Sequence, residues 1–342
     1  MAKIFGGDPM SVQRMQKWDI LKFFLIFLVV AGHIADLYVK ESGAMKALFM
    51  AIYTFHMPLF IFVSGLFAKR TVNEKKKDRI AGYLVLYIVI KFILWIYSAF
   101  RYGNVKFSIF SEGGLPWFMF VLFAYAIITI AIKDFSPKFI LPMSILLACL
   151  AGYDGETGTF LSASRIIAFY PYYYLGYLFD IKKIEEHCKK KEAKIAAGVI
   201  VAVFVIISVF FGERFYWLRP LLTGVNPFST LGTCAKFGFL FRLGNYAVSG
   251  IISYAVIVLT PETTRFGIAA KYGRRTLPIY ALHYIFIYIL YYNFDIHSLL
   301  QSVAPAFDEW LAILLAIPIT FVSALPIFDK FFNKISTVPL KK

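Results

Sequence analysis

Four ionisable residues interrupt the first long apolar segment of the chain: Asp19, Lys22, His33 and Asp36. At about 100° per residue, the step from Lys22 to His33 is about three helical turns and returns to nearly the same face. Asp19 and Asp36 each lie one turn beyond one end of that pair, so all four fall on one stripe. An ionisable side chain facing lipid costs several kcal/mol. The stripe is therefore predicted to face protein or a water-filled cleft, and we place the chemistry there.

Three histidines are the residues best suited to that chemistry. His33, His56 and His283 are predicted to lie at comparable depth on three different helices. The unperturbed pKa of histidine, about 6.5, lies near operating pH and suits proton transfer. We predict that His33 takes a proton from a hydroxyl group, and that Asp36 orients its ring. The structural alternative, that each is a packing residue with one hydrogen bond, stays open.

Basic residues add a second kind of candidate site. Lys91 should face the interior of the protein, where it pairs with an acidic residue or with a ligand anion. The basic cluster at 69–79, which includes Lys76 and Arg79, serves either topology and anionic lipid headgroups or the capture of an anionic cytoplasmic cosubstrate. The aromatic string at 169–174 lies near Arg165, and it is either a sugar-binding vestibule or an interfacial belt. We favour the belt.

The elements that position these residues are predicted from composition. Hydrophobic residues make up 60% of the chain and its mean hydropathy is +0.70, whereas a soluble domain is about 45–50% apolar. Apolar runs of roughly twenty residues indicate membrane helices. We therefore predict one all-α polytopic domain over 1–342, with about ten transmembrane helices. Their expected positions are 20–39, 47–68, 80–99, 115–132, 138–151, 166–180, 195–211, 237–260, 276–294 and 309–329.

The distribution of Lys and Arg predicts the orientation of these helices. With the N-terminus inside, the inner segments hold 25 of these residues and the outer loops hold 8. This asymmetry predicts that both termini are cytoplasmic. It also accounts for the net charge of +16 without a nucleic-acid partner. The three cysteines have no metal-binding spacing, and we expect no metal.

Several segments together resemble the membrane-bound acyltransferase family 3, and within it the fucose 4-O-acetylase-like branch of polysaccharide O-acetyltransferases. The family motif of a basic residue, a ten-residue gap and a histidine falls on Lys22 and His33. An Arg-x-x-Arg element is matched loosely by Lys76 and Arg79. The segments that carry the resemblance are 18–22, 29–33, 55–60, 63–65, 117–118, 165 with 174–177, and 273–283.

This resemblance implies an O-acyltransferase of the cell membrane, expected to be a bacterial cytoplasmic membrane. Its cosubstrate would be acetyl-CoA or another acyl-CoA, and its acceptor a hydroxyl of a surface or lipid-linked carbohydrate. His33 would be the general base, with His56 or His283 polarising the thioester carbonyl or stabilising the oxyanion. A covalent acyl-His33 intermediate is a less favoured variant. The remaining expected contacts are, for acyl-CoA, Lys22, Lys76, Arg79 and Lys91, and, for the acceptor, Asp19, Trp117, Arg165 and Tyr280.

Two other functions are consistent with the same residues. Intramembrane Asp, His and Lys also build the substrate and proton pathways of transporters and flippases. No two-half symmetry is visible in the sequence, which counts against that function. A scaffold in a glycan-assembly complex is the third hypothesis, and it predicts that replacing His33 leaves the phenotype intact.

Overall fold

The structure is a computed structural model that describes residues 9–110, 114–156, 158, 160–225, 227–263 and 267–337. Helices account for 80% of it, and the described residues contain no β-strand. The all-α prediction is confirmed. The helices are α1 (Pro9–Tyr38), α2 (Gly43–Leu66), α3 (Lys69–Asn73), α4 (Lys77–Tyr102), α5 (Trp117–Ile132), α6 (Pro137–Ala151), α7 (Ala163–Leu178), α8 (Ile181–Cys188), α9 (Lys191–Phe211), α10 (Arg219–Thr223), α11 (Gly238–Leu259), α12 (Ile268–Gly273), α13 (Thr276–Tyr288), α14 (Ile296–Val303), α15 (Asp308–Leu314), α16 (Ala316–Ser323) and α17 (Pro326–Ile335).

Five of the described helical segments are long and apolar enough to cross a membrane. Two bent pairs raise that number to seven if each pair is one span: Thr276–Asn293 with Ile296–Val303, bent by 67°, and Asp308–Ser323 with Pro326–Ile335, bent by 66°. Helices α5 and α6 are apolar but only 16 and 15 residues long. At 1.5 Å per residue they rise about 24 Å, which is short of a hydrocarbon core of about 30 Å. Each of the ten predicted segments overlaps a helix of the structure. By length and composition, five to seven of the described segments could cross a membrane.

The bundle has two ends, which we call the proximal and the distal face. The proximal face is where α1 enters near Gln16, and the short helices α3, α8, α12 and α17 lie there. The distal face is where α1 ends at Tyr38, and it carries α10 and α14. Contacts between remote segments define both ends: Lys17 Nζ donates to the Thr260 carbonyl at 2.8 Å on the proximal face, and Lys46 pairs with Glu213 at 3.2 Å on the distal face.

Local sequence signals explain how two of these helices begin. Ser42 precedes α2, and its hydroxyl accepts the Met45 N–H at 3.1 Å. Asp180 precedes α8, and its carboxylate accepts the Lys182 N–H at 2.8 Å. Each side chain satisfies a backbone donor that has no partner inside its helix. The hydrogen bond to Lys182 also holds the pKa of Asp180 below its ordinary value.

The centre of the bundle is formed by α1, α2, α7 and α13. In α1, 56% of the apolar span is buried inside the protein, against 6% in α9. Helix α9 therefore lies at the periphery, where its apolar side chains are available to lipid. Helix α2 approaches α7 closely at Gly65, where an added Cβ would lie 2.0 Å from the Tyr173 carbonyl oxygen. The central position of α1 keeps its polar stripe away from the surroundings of the bundle.

Candidate active site

A pair of histidine rings lies where α1 meets α13. The ring centroids of His33 and His283 are 5.3 Å apart, with an angle of 30° between the planes. Tyr284 packs its ring edge-on to His33 at 4.9 Å. His283 is fully buried, whereas His33 is only partly buried. His33 is therefore the member of the pair that a substrate can reach.

His56 of α2 and His283 of α13 share one hydrogen-bond pattern. His56 Nδ1 lies 2.8 Å from the Ile52 carbonyl oxygen, and His283 Nδ1 lies 2.8 Å from the Ile279 carbonyl oxygen. A carbonyl oxygen only accepts hydrogen bonds, so we assign the proton of each neutral ring to Nδ1. The lone pair then resides on Nε2. His283 Nε2 is buried and has no hydrogen-bond partner among the residues that the structure describes.

Tyr53 joins the histidines to an ion pair at the distal face. Its ring centroid lies 4.7 Å from that of His56 and 3.7 Å from that of Phe49. The Arg219 guanidinium lies 4.6 Å from the Phe49 ring. Arg219 Nη2 lies 2.7 Å from Asp36 Oδ1 and donates to Asp36 Oδ2 at 3.0 Å. A chain of contacting side chains thus runs from His56 to the distal surface.

The predicted role of Asp36 requires a correction. Its carboxylate binds Arg219 of α10, and in the described part of the chain no hydrogen bond joins it to His33. The spacing along α1 located Asp36 above His33 correctly on the helix, but a guanidinium offers a carboxylate a full charge and several donors. Asp36 therefore binds Arg219, a cation remote in sequence, instead of the His33 imidazole.

Arg165 and Trp117 form a second group near the same depth. The Arg165 guanidinium stacks on the Trp117 ring at 4.6 Å, and Arg165 Nε donates to the Thr223 carbonyl at 3.3 Å. Tyr280 donates its hydroxyl hydrogen to the Leu115 carbonyl, two residues before α5 begins. His33 lies within electrostatic range of both His56 and Arg165. The structure thus brings the predicted acceptor residues Trp117, Arg165 and Tyr280 to the same side as the histidines.

The interfacial belt favoured for 169–174 is wrong. Phe169, Tyr170, Tyr172, Tyr173 and Tyr174 are each at most 8% exposed. Helix α7 packs against α2, α5 and α6, so its aromatic side chains are enclosed on all faces. The composition of the string suits an interface, but the packing of three neighbouring helices decided its burial.

The base of α1 is an ion-pair centre. Asp19 is 4% exposed, and its carboxylate lies 2.7 Å from Lys22 Nζ and 3.0 Å from Arg274 Nε. The prediction that Asp19 contacts the acceptor is corrected, because this carboxylate holds two cations at the proximal face. Lys22 lies about 16 Å below His33 along the helix axis, from a rise of 1.5 Å per residue. Lys22 and Arg274 share one acidic partner.

The other predicted acyl-CoA ligands do not all join this centre. Lys76 pairs with Glu74 at 3.2 Å, and Arg79 is exposed at the start of α4. Lys91 lies about 18 Å beyond Arg79 along α4 and 5.3 Å from the Tyr87 ring. Tyr87 in turn donates to the Ile109 carbonyl, beyond the distal end of that helix. Lys91 is thus corrected to the distal half of α4, away from a proximal phosphate site.

Sequence reasoning gave no site role to four residues that the structure adds to the candidate site, namely Arg219, Arg274, Tyr53 and Tyr284. Arg219 entered only as a loop charge, and Arg274 only as an inner-segment charge and as part of the segment 273–283. The segment 273–283 contained a usable signal, because it places two arginines directly before the helix of His283. Among the described residues, no group of three or more His, Cys, Asp or Glu side chains is placed to hold a metal ion.

Comparison with known proteins gives one family match and two relatives. The family described as "Acyltransferase domain" matches residues 15–329. The chain is similar to nodulation protein NolL of Sinorhizobium fredii (strain NBRC 101917 / NGR234), with 29% identity over 187 residues, covering 49% of each chain. It is similar to nodulation protein NolL of Mesorhizobium japonicum, with 23% identity over 304 residues, covering 82% of this chain and 78% of the relative. The first match spans about half the length of that relative. No solved structure matches.

Proposed function

This chain belongs to the acyltransferase-3 family, and we propose from that premise that it is a membrane O-acyltransferase that moves an acyl group from cytoplasmic acyl-CoA to a carbohydrate hydroxyl. The acceptor belongs to a cell-surface or lipid-linked glycan, and the simplest donor is acetyl-CoA. The family match covers all the candidate site residues. The observation that carries the proposal is the partly accessible His33 beside the buried His283.

His33 acts on the acceptor hydroxyl in this proposal. It takes the hydroxyl proton as the oxygen forms its bond to the acyl carbonyl carbon, and it returns that proton to the departing thiolate as the carbon–sulfur bond breaks. Acyl-CoA supplies the activated acyl group as a thioester. The products are an acyl ester and free CoA, so atoms and charge balance with His33 unchanged.

The tautomers of His56 and His283 change the predicted division of roles. A neutral ring that donates from Nδ1 to a backbone carbonyl offers a lone pair at Nε2, not a donor. Such a ring accepts a proton or a hydrogen bond, and it does not stabilise an oxyanion. The Tyr53 ring contacts His56 and the Tyr284 ring contacts His33, so the hydroxyls of these two tyrosines are the better candidates for donors to developing negative charge.

The proximal face suits a polyanionic donor. Lys22 and Arg274 flank Asp19 at the base of α1, about 16 Å from His33. The described residues of the inner segments of the predicted topology lie on this face, and in the sequence these segments hold 25 Lys and Arg against 8 in the outer loops. We therefore propose that the proximal face is cytoplasmic, in a bacterial plasma membrane, and that the acceptor approaches from the distal face.

The test is release of CoA by the purified full chain in detergent, with acetyl-CoA and succinyl-CoA as donors and a membrane glycan extract as acceptor. We expect wild type to release CoA and His33→Ala to lose about 100- to 10,000-fold of that rate, the usual contribution of a general base. His187→Ala is the control, because His187 lies on exposed α8 and contacts Tyr254. Equal rates for wild type and His33→Ala would refute the proposed base.

A further inference from the structure

A cavity opens at the proximal face between α1, α12 and α17. Its volume is about 340 Å³, within the range of small-molecule sites. Its lining includes the side chains of Lys271, Arg274, Arg275 and Asp329, together with Gln16 at the entrance of α1. Three cations and one carboxylate give the lining a net positive charge. The chemistry of the cavity therefore suits an anion.

The three cations of the lining differ in their exposure and in their contacts. Arg275 Nη1 donates to the Ala324 carbonyl at 3.1 Å, and its Nε lies 3.8 Å from Asp329. Arg275, in the turn between α12 and α13, thus connects this turn to the end of α16 and to α17, and its charge is partly offset by Asp329. Lys271 is exposed, and the side chain of Arg274 is 56% exposed. Lys271 and Arg274 are therefore available to a ligand that enters from the proximal side.

Arg274 links this cavity to the base of α1. Its Nε donates to Asp19, and the other oxygen of the same carboxylate lies 2.7 Å from Lys22 Nζ. Helix α12 is pressed against α1 at this point, because a Cβ on Gly273 would lie 1.7 Å from the Asp19 carbonyl oxygen. The remaining donors of Arg274 are thus positioned beside the cavity by a contact that needs glycine.

We propose that Lys271 and Arg274 bind a phosphate group at the nucleotide end of the acyl donor. The inference rests on the proposed function. The phosphates of the acyl donor then occupy the cavity beneath Lys22. The flexible arm of the donor extends from there along α1 to His33. Lys271 contributes a mobile ammonium and Arg274 a planar guanidinium, the two side chains that bind phosphate most strongly.

Binding of adenosine 3′,5′-bisphosphate, which has no acyl group, tests the cavity apart from catalysis. Calorimetric titration uses the full chain in nanodiscs of zwitterionic lipid. We expect Lys271→Ala and Arg274→Gln each to weaken the Kd about ten- to a hundred-fold, the effect of losing a charge-assisted hydrogen bond. Arg274→Lys keeps the charge and should bind with intermediate affinity. Size-exclusion profiles establish that each variant is folded.

Matched controls lie on the same face but outside the cavity. Lys334→Ala removes an exposed lysine of α17, and Lys183→Ala removes an exposed lysine of α8. Both should bind like wild type. If the controls weaken binding as much as the cavity variants, the effect is general surface charge and the inference is overturned.

A lipid headgroup presents the same phosphate chemistry, so a second arm uses nanodiscs that contain anionic lipid. If the cavity takes lipid, Lys271→Ala will lose bound anionic lipid and keep nucleotide affinity, which overturns the inference. Failure of the proposed function is distinguishable, because it abolishes CoA release by wild type yet leaves bisphosphate binding intact. In the active enzyme, Lys271→Ala should raise KM for acyl-CoA and leave kcat unchanged.

Discussion

At the residue scale, the hydrogen bonds of the ring nitrogens determine what chemistry each histidine can perform. His56 and His283 each bind a carbonyl one turn back in their own helix, so only Nε2 remains for chemistry. Histidine spacing in a sequence predicts depth along a helix, but it does not say which nitrogen is engaged. The backbone contact assigns that nitrogen, and it turns two proposed oxyanion donors into acceptors.

Asparagine separates the structural role of these histidines from the chemical one. An Asn side chain can still donate to the carbonyl one turn back, but it lacks a nitrogen at the position of Nε2. We expect His56→Asn and His283→Asn to retain the melting temperature of wild type within a few degrees, and to lose about 100-fold in CoA release. Thermal unfolding and the release assay measure the two effects on the same sample. Full activity in both variants would leave the two rings as packing residues.

The ion pair between Asp36 and Arg219 makes a second prediction at this scale. Both side chains are about one-third exposed, so screening by solvent limits the pair to about 1 kcal/mol or less of stability. Because the two residues act as a unit, Asp36→Asn, Arg219→Gln and the double variant should affect activity to a similar extent. A double-mutant cycle on kcat/KM measures the coupling. A large loss in Asp36→Asn alone, with Arg219→Gln unaffected, would return Asp36 to its predicted place beside His33.

At the scale of elements, close helix approach holds the site together. Gly65 of α2 contacts the backbone of α7, whereas Gly198 of α9 has nothing within 4 Å of an added Cβ. Helix α2 carries His56 and α7 carries Arg165, so their contact sets the distance between two candidate site residues. Gly65 thus lies in a close contact between two helices that carry candidate site residues, whereas Gly198 lies in open space on the peripheral helix α9.

Alanine at these two glycines should have opposite effects. Gly65→Ala places a methyl group 2.0 Å from the Tyr173 carbonyl oxygen, and overpacking of this kind costs about 1–3 kcal/mol. Gly198→Ala is the control and should stabilise α9 slightly, because alanine favours a helix interior more than glycine does. Melting temperatures in detergent measure both. If Gly65→Ala left the melting temperature unchanged, α2 and α7 would be able to move apart without loss of stability.

At the scale of the whole molecule, charge and packing define two different faces. The basic short helices gather at the proximal face, and Arg219, Arg165 and the aromatic site residues lie towards the distal side. In the proposed function, the donor is a soluble polyanion and the acceptor is a glycan, and the two reach the site from opposite sides. A central α1 that carries a cation at its base and His33 along its length meets that requirement.

Labelling of single cysteines tests this orientation. The native Cys149, Cys188 and Cys234 are first replaced by serine, and Lys334→Cys or Lys106→Cys is then introduced. Lys334 lies on α17 at the proximal face, and Lys106 follows the distal end of α4. In intact bacterial cells, a membrane-impermeant maleimide should label the cysteine at 106 and spare the one at 334 until the cells are opened. The reverse pattern would place the proximal face outside.

Local sequence is enough to predict the class of the protein and the positions of its ionisable residues along the helices. Helical membrane segments depend on local hydrophobicity, and the rise of a helix converts spacing into distance, so the separation of Lys22 and His33 along α1 follows from one segment. The tertiary structure decided which helices meet. Asp36 with Arg219, Asp19 with Arg274, and His33 with His283 join residues 183, 255 and 250 positions apart. Local pattern carries no information about such pairs, because ion pairing and close packing depend on which remote side chain arrives at the required distance.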